Sequence, residues 1–165
     1  VIVSISDSCG GSHTVSARQL NKEEREVLAQ ELSASFGRAF FGKKERVEVE
    51  DDVLAINGVR MFVRAERWVP LLRYLLTNLF PKKIIVDMGA VRFVTSGADV
   101  MRPGIKSIDS GIRKAELIIV VDEKFGKPLA VGVALFDAAE MQAMGTGKVV
   151  KNVHHVGDEW WTRTA

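Results

Sequence analysis

Few residues in the sequence have the types and spacing that catalysis requires. Cys9 and His13 lie four residues apart in a glycine-rich stretch and could form a nucleophile–base pair, since a thiol becomes reactive beside a base. The pattern marks no third residue that would orient the histidine, and the carboxylates are scattered without a paired arrangement. The sequence therefore predicts a protein that is not an enzyme.

Three shorter patterns near the C-terminus could bind ligands. His154 and His155 could hold a metal ion, but adjacent strand residues point to opposite faces and no cysteine or carboxylate stands at ligand spacing, so we expect no metal site. The "GTGK" of residues 145–148 lacks the spacing and the following Ser/Thr of a phosphate-binding loop, and no cofactor is expected. Trp160 and Trp161 could stack on bases, although at least one is expected to close the core of a barrel.

A different kind of chemistry is suggested by residues 86–105, "VDMGAVRFVTSGADVMRPGI". Two Gly-Ala pairs are followed by Arg-Pro-Gly, and at Gly97 and Ala98 the backbone has almost no side chain over it, so another chain could approach its amide groups. Arg102 and Lys106 follow and could hold phosphate. The alternative is that the glycines only allow tight turns. The pattern alone leaves both interpretations open.

Short elements must position this segment. Residues 88–95 are predicted to form a helix that turns Ala90, Phe93 and Val94 towards the core and ends at Gly97. A second short helix is predicted at residues 137–144. Strands are predicted at residues 83–86, 100–101, 115–121, 129–136, 148–155 and 160–163. Many short strands at close spacing are typical of a small barrel rather than a parallel sheet.

The first half of the chain begins with an alternating stretch at residues 1–6 that predicts a strand. Asn21, with Glu24 three residues later, is typical of a capping box and predicts the start of a helix. Gly37 is expected to end that helix.

A hairpin and a second helix are predicted further along. Asn57-Gly58 is the preferred pair for a type I′ turn between two strands. Residues 68–80 are predicted to form a leucine-rich helix with Pro70 in its first turn. Residues 80–83, where a proline and two lysines interrupt the pattern, are the expected domain boundary.

Composition limits the class of protein. The 165 residues are 47% hydrophobic, enough for a packed core, and no apolar run approaches the roughly 18–20 residues of a membrane span. The start of the chain does not resemble a signal peptide, and a single cysteine excludes an internal disulfide. With a net charge of +2, a basic site must come from local clustering. A cytoplasmic protein without a membrane partner is expected.

Residues 86–105 resemble the signature of the PUA domain, a small RNA-binding pseudobarrel found in RNA-modifying enzymes and translation proteins. Residues 128–141 are similar to that family's strand with "AVG", and residues 147–161 to its closing hairpin. The matching positions follow the pattern acidic-x-Gly-Ala, Gly-Ala-x-Val, Pro-Gly-Ile: Asp87, Gly89, Ala90, Gly97, Ala98, Val100, Pro103, Gly104 and Ile105.

The first half extends the resemblance. A strand–helix–strand–hairpin–helix order directly before a PUA domain, together with residues 56–75 and the ending "KNVHHVGDEWW", is similar to an archaeal-type member of the malignant T-cell amplified sequence family. The resemblance implies an α+β fold. An N-terminal α/β pre-PUA domain at residues 1–81 would precede a PUA pseudobarrel of short, mostly antiparallel strands at residues 82–165.

The resemblance also implies a function in translation, with binding of tRNA or ribosomal RNA at the small ribosomal subunit during initiation or recycling. Eukaryotic members act with the density-regulated protein, so a protein partner could dock on the N-terminal domain. An accessory role in RNA modification and a protein–protein adaptor are the alternatives. The family's RNA-binding surface corresponds here to seven positions: Arg92, Gly97, Ala98, Arg102, Lys106, Lys148 and Lys151.

Overall fold

The computed structural model describes residues 16–165, whose strands form two sheets. The N-terminal sheet has five antiparallel strands in chain order: β1 (Arg18–Gln19), β2 (Val47–Glu50), β3 (Val53–Ile56), β4 (Val59–Arg64) and β5 (Trp68–Pro70). Helix α1 (Lys22–Phe36) lies between β1 and β2, and α2 (Leu72–Leu75) follows β5. The expected strand at residues 1–6 and the pair Cys9 and His13 lie outside the described residues.

Helix α1 has the predicted ends. The Asn21 side chain accepts a hydrogen bond from the backbone N–H of Glu24 at 2.9 Å, and the Glu24 carboxylate accepts one from the backbone N–H of Asn21 at 2.9 Å. Gly37 takes a left-handed φ of 67° and ends the helix. Leu28 and Leu32 are buried on the N-terminal sheet. The predicted capping box is therefore confirmed, and it satisfies two backbone donors that a helix start leaves open.

The turn between β3 and β4 also follows the prediction. Asn57 and Gly58 both have positive φ, 52° and 78°, as a type I′ turn requires. The Asn57 side chain additionally accepts a hydrogen bond from the backbone N–H of Arg46 at 2.9 Å, which ties the turn to the start of β2.

The helix predicted for residues 68–80 is wrong over most of its length. Trp68–Pro70 form strand β5, in which Val69 pairs with Val63 and both side chains are buried. Only Leu72–Leu75 are helical, and Leu71 before them is extended. Pairing with β4 holds Trp68–Pro70 in extended backbone, and tertiary pairing of this kind overrides a local pattern.

The C-terminal sheet has six strands in the order β7-β11-β10-β9-β6-β8, and all its pairings are antiparallel except that of β6 with β9. Its strands are β6 (Lys83–Val86), β7 (Val100–Met101), β8 (Ile105–Ile108), β9 (Leu117–Asp122), β10 (Pro128–Ala134) and β11 (Lys148–His155). Helix α3 (Met88–Val94) follows β6, and α4 (Ala138–Ala143) follows β10. Strands β7 and β8 lie at opposite ends of this order. They are nevertheless joined by a single 3₁₀ turn, Arg102–Gly104, which bends the sheet into a near-barrel and confirms the predicted fold class.

The last predicted strand, at residues 160–163, is wrong. These residues belong to helix α5 (Glu159–Arg163), which begins because the Asp158 carboxylate accepts a hydrogen bond from the backbone N–H of Trp161 at 2.8 Å. Gly157, with a φ of 88°, makes the turn from β11 into this helix. A capping aspartate therefore decides the structure where two tryptophans suggested a strand.

The two sheets share apolar packing. Leu72 and Leu75 of α2 are fully buried in one cluster with Leu117, Ile119 and Val131 of the C-terminal sheet. Burial of such side chains stabilises a contact by about 1.5–3 kcal/mol each. No helix within residues 16–165 is both long and apolar enough to cross a membrane.

Candidate nucleic-acid interface

An open groove of about 490 Å³ lies between helix α3 and the β7 segment. It is lined by residues of the signature segment: Asp87, Gly89, Ala90, Phe93, Val94, Ala98, Asp99, Val100, Met101, Pro103 and Gly104. Two of its large apolar side chains remain open to solvent, Phe93 at 52% and Met101 at 51%. Phe93 was expected in the core, but it stands at the groove instead. Exposed apolar side chains grouped at a concave surface are typical of a binding site rather than of an ordinary surface.

Several signature residues hold the groove together. The Asp87 carboxylate caps α3 by accepting a hydrogen bond from the backbone N–H of Ala90 at 2.9 Å, and the Asp87 N–H donates to the Gly104 carbonyl at 2.9 Å. A Cβ atom on Gly104 would lie 3.2 Å from the Ala90 Cβ. The small residues at these positions thus allow the two ends of the segment to close on each other.

Gly97 and Ala98 have different roles. Gly97 has a φ of 93°, which favours glycine, and a Cβ atom there would lie 3.0 Å from Nε2 of His155, so a larger residue would also crowd that ring. Ala98 is exposed and lines the groove. The need for a tight turn therefore explains Gly97. Ala98 instead presents a small side chain on an open surface.

Asn152 on β11 fixes this turn from the other side. Its side-chain amide donates to the carbonyls of Val94 at 2.9 Å and of Ala98 at 3.0 Å, and its backbone N–H donates to the Asp99 carboxylate at 2.8 Å. Sequence reasoning missed Asn152 because its partners lie more than 50 residues away, although a polar residue among the apolar residues of a strand was a signal.

Arg92 and Lys148 are the predicted basic residues that the structure places at the rim of the groove. The exposed Arg92 guanidinium lies over the Phe93 ring, 4.6 Å from its centroid. The Lys148 ammonium lies 3.1 Å from the Asp99 carboxylate, and both side chains are partly exposed. Exposed pairs of this kind contribute about 0–1 kcal/mol each, so either cation can be turned towards a ligand at small cost.

Arg102 lies directly after the groove-lining residues of β7 and is half-buried. Its Nε donates to the Met141 carbonyl at 2.6 Å, and one terminal nitrogen lies 3.4 Å from the Ile105 carbonyl. These contacts tie the 3₁₀ turn to helix α4, so the side chain has a structural role besides the predicted phosphate contact.

Lys106 and Lys151 lie outside the lining of the groove. Lys106 is exposed on β8 and does not line the groove. Lys151 lines a separate cavity of about 250 Å³ between the two sheets, together with Glu66 and Arg67. The structure therefore places Ala98 in the groove and Arg92 and Lys148 beside residues that line it, whereas Gly97 packs against His155 and Lys151 lines the other cavity.

The histidine pair points in two directions, as strand alternation predicted. His154 is fully buried, its Nδ1 lies 2.7 Å from the Asp158 carboxylate, and its Nε2 accepts a hydrogen bond from the backbone N–H of Leu72 at 3.1 Å. These partners fix the neutral tautomer with the proton on Nδ1. Burial lowers the pKa of His154 against the opposing effect of Asp158. Within residues 16–165, no group of three or more metal-ligating side chains is found.

The tryptophans complete what we call the junction, the contact between the two sheets formed by Asp52, Leu72, His154, Asp158 and Trp160. The Trp160 indole N–H donates to the Asp52 carboxylate at 3.2 Å, and Trp160 packs edge-on against His154. Outside the junction proper, Arg163 pairs with Asp52. Both tryptophans are partly buried against the apolar cluster shared by the two sheets and not against the core of the C-terminal sheet, so the prediction that one closes the barrel core is wrong.

The comparisons with known proteins agree with this geometry. A family model described as PUA domain matches residues 82–156. An uncharacterised protein of Methanocaldococcus jannaschii is 37% identical, over 86% of this chain and 93% of the relative. A structure titled as a hypothetical protein of Pyrococcus horikoshii has a TM-score of 0.78 and 35% identity, and covers 90% of this chain and 99% of that one.

Two eukaryotic relatives have functional names. Translation machinery-associated protein 20 of Saccharomyces cerevisiae is 29% identical, over 72% of this chain and 73% of the relative. Malignant T-cell-amplified sequence 2 of Mus musculus is 32% identical, over 67% of this chain and 64% of the relative. The predicted resemblance is thereby confirmed, and the chain belongs to the PUA-domain family that includes the malignant T-cell-amplified sequence proteins.

Proposed function

We propose that the protein binds structured RNA, tRNA or ribosomal RNA, without catalysis, and that it acts in translation initiation or ribosome recycling. The observation that supports this best is the groove, where Phe93, Met101 and Ala98 present an open surface and the cations of Arg92 and Lys148 contact residues that line it. In this proposal, residues 1–81 are a pre-PUA domain and residues 82–165 a PUA domain that contains the RNA site.

The groove suits a nucleic acid better than a small polar metabolite. An aromatic ring and a thioether give flat apolar contact to a base, and base–aromatic stacking contributes about 1–3 kcal/mol per base. Arg92 can grip a phosphate with two parallel hydrogen bonds, whereas Lys148 supplies a point charge. The small side chain of Ala98 allows a backbone to come close between them. Sequence-independent phosphate contacts and a base pocket together are typical of RNA readers.

The relatives support the cellular context. The name of the yeast relative states an association with the translation machinery, and we infer the same context for this chain, at the small ribosomal subunit in the cytoplasm. The proposal of a non-catalytic role rests on the same names. It also rests on the structural role of two titratable side chains whose pKa values are shifted. His154 and Asp158, whose pKa values are both lowered, are engaged in holding the two sheets together. The N-terminal sheet remains the proposed docking surface for a protein partner.

The experiment that tests the RNA site compares two alanine-to-glutamine variants. Ala98→Gln adds a side chain inside the groove, whereas Ala34→Gln adds the same side chain on the exposed face of α1. We expect Ala98→Gln to weaken binding of total tRNA and of small-subunit rRNA at least tenfold, about 1.4 kcal/mol, with an unchanged salt slope. Ala34→Gln should bind as the wild type does. Normal binding by a folded Ala98→Gln variant would remove the groove as the site.

The place in translation is tested separately. Wild-type protein added to cell extract should sediment with small ribosomal subunits at low salt and be released as the salt concentration rises. Sedimentation with an RNA-modifying enzyme instead of the subunit would contradict the proposed context, but it would leave the RNA site itself standing.

A further inference from the structure

The turn between β9 and β10 presents an aromatic side chain to solvent. Phe125 at its tip is 64% exposed. The Asp122 carboxylate, itself buried, accepts hydrogen bonds from the backbone N–H groups of Lys124 at 2.9 Å, Phe125 at 2.5 Å and Lys127 at 3.0 Å. Gly126 takes the left-handed φ of 63° that the turn needs. The ring is therefore held out on a braced turn rather than on a loose loop.

The charge of Asp122 supports this bracing. Burial alone would raise the pKa of Asp122, but the hydrogen bonds from Phe125, Lys127 and Lys124 outweigh burial and hold the pKa below its usual range. The carboxylate is thus ionised at neutral pH, and hydrogen bonds to an ionised acceptor are the stronger kind.

Two cations lie over the exposed ring. The ammonium groups of Lys124 and Lys127 lie 5.2 and 5.8 Å from the Phe125 ring centroid. Within residues 16–165, neither ammonium has a carboxylate oxygen within 4.0 Å. The neighbouring carboxylate of Glu123 is engaged elsewhere, since it accepts a hydrogen bond from the backbone N–H of Met88 at 3.1 Å. The tip therefore combines an exposed aromatic ring with two positive charges that have no carboxylate partner among the described residues.

The tip is continuous with the groove. The Glu123 N–H donates to the Val86 carbonyl at 3.0 Å, and the Glu123 carboxylate holds the first turn of α3 through Met88. Asp87, between these two contacts, lines the groove. Met88 is 43% exposed and adds apolar surface between the groove and the tip. An extended ligand that leaves the groove at Asp87 would reach Phe125 next.

We propose that Phe125 is a stacking platform for an unpaired RNA base adjacent to the segment bound in the groove, and that Lys124 and Lys127 contact the phosphates on either side of that base. This inference rests on the proposed function. A phenyl ring accepts any base on its face, so the platform adds affinity with little sequence preference. Exposed cation–π contacts contribute only about 0.5–1 kcal/mol each, so a base can displace the two ammonium groups from the ring at small cost. A nucleic acid suits the tip better than an apolar peptide, since the displaced cations can pair with the phosphates that alternate with bases.

The test measures binding of labelled total tRNA and small-subunit rRNA to full-length variants. Phe125→Ala should weaken binding at least fivefold with an unchanged salt slope, because stacking is lost and no charge changes. Phe125→Trp should bind at least as tightly as the wild type, and its added indole fluorescence should be quenched by RNA. Val59→Ala, at an exposed position in the N-terminal sheet, is the matched control and should bind normally. Lys124→Gln with Lys127→Gln should reduce the salt slope by about two units.

The outcomes separate this inference from the proposed function. Normal affinity of Phe125→Ala, with binding lost in Ala98→Gln, would overturn the platform and leave the groove as the RNA site. It would also leave the tip for contact with a protein. If the wild-type protein bound neither RNA, the proposed function would fail and the platform with it. Weakened binding by Phe125→Ala but an unquenched Phe125→Trp would also overturn stacking, since a base on the ring must quench the indole.

Discussion

The groove and the junction use similar residues for opposite purposes. At the junction, Trp160 and His154 are packed together, and each ring nitrogen has a partner, in Asp52, Asp158 or Leu72. At the groove, Phe93 and Met101 have no such enclosure and remain half exposed. Burial with satisfied hydrogen bonds fixes a structure, whereas open apolar surface can be stabilised further only by a ligand. Substitutions at the two regions should therefore affect different measurements.

The largest expected effect is on the junction. Asp158→Ala removes the acceptor of the buried His154 N–H and the cap of α5, so we expect a loss of about 3 kcal/mol in the free energy of unfolding. Denaturant unfolding measures it, with Glu159→Ala on the exposed side of α5 as the control, within about 0.5 kcal/mol of wild type. Wild-type stability in Asp158→Ala would mean that the junction does not stabilise the fold.

The next effect is the pH dependence of the junction. Burial lowers the pKa of His154 in the folded protein below its value of about 6.5 in the unfolded chain. Below about pH 6.5 the unfolded state then binds more protons than the folded state. The free energy of unfolding should therefore have its full value above that pH. It should fall by up to about 1.4 kcal/mol per unit as the pH decreases from 6.5 towards 5. The titratable groups that face His154 are Asp158 and His155. His154→Gln should reduce the dependence of the free energy of unfolding on pH. An equal slope in both proteins would assign it to other groups.

A smaller effect, on binding alone, is expected at the groove. Phe93→Ala should weaken tRNA binding by about 1–3 kcal/mol and change the free energy of unfolding by less than about 0.5 kcal/mol, because the ring is half exposed. Trp160→Phe, which removes the N–H to Asp52 and part of the packed ring, should do the reverse. Anisotropy titrations and denaturant unfolding on the same samples give both values. Reduced stability together with normal RNA binding in Phe93→Ala would contradict the contrast between the groove and the junction.

The smallest effect concerns the two lysines of β11. Lys148→Gln at the groove rim should reduce the salt slope of RNA binding by about one unit. Lys151→Gln should have a smaller effect than Lys148→Gln, since Lys151 lines the cavity between the sheets. Lys114→Gln, exposed between β8 and β9, serves as the control. A larger slope change in Lys151→Gln would show that RNA passes over the cavity between the sheets.

The sequence predicted best those features that depend on neighbouring residues. The capping box of Asn21 and Glu24 and the turn at Asn57-Gly58 need no information from distant parts of the chain, and both are present. The PUA signature was also identified, because closure of its segment fixes small residues at set positions such as Gly104.

The failures of prediction have a common physical origin in distant partners. Residues 68–80 have helical leucine spacing, yet pairing with β4 turns Trp68–Pro70 into a strand. Phe93 has the spacing of a core residue, but no element within residues 16–165 covers its side of α3, and it stands at the groove instead. Asn152 could not be assigned because its partners, Val94, Ala98 and Asp99, are brought together only by the fold. Local patterns cannot supply such contacts.

The shared apolar cluster has a consequence for how the molecule could be used by the cell. Because Leu72 and Leu75 are buried against Leu117, Ile119 and Val131, neither half can swing relative to the other without exposing this surface to water. A fragment of residues 82–165 alone would expose this apolar surface and be prone to aggregate. In the whole chain, the two halves should unfold in one cooperative step. Whatever binds the N-terminal sheet is then held at a fixed distance and angle from whatever binds the groove. The chain would therefore hold its two ligands in one relative position, which two flexibly linked domains would not do.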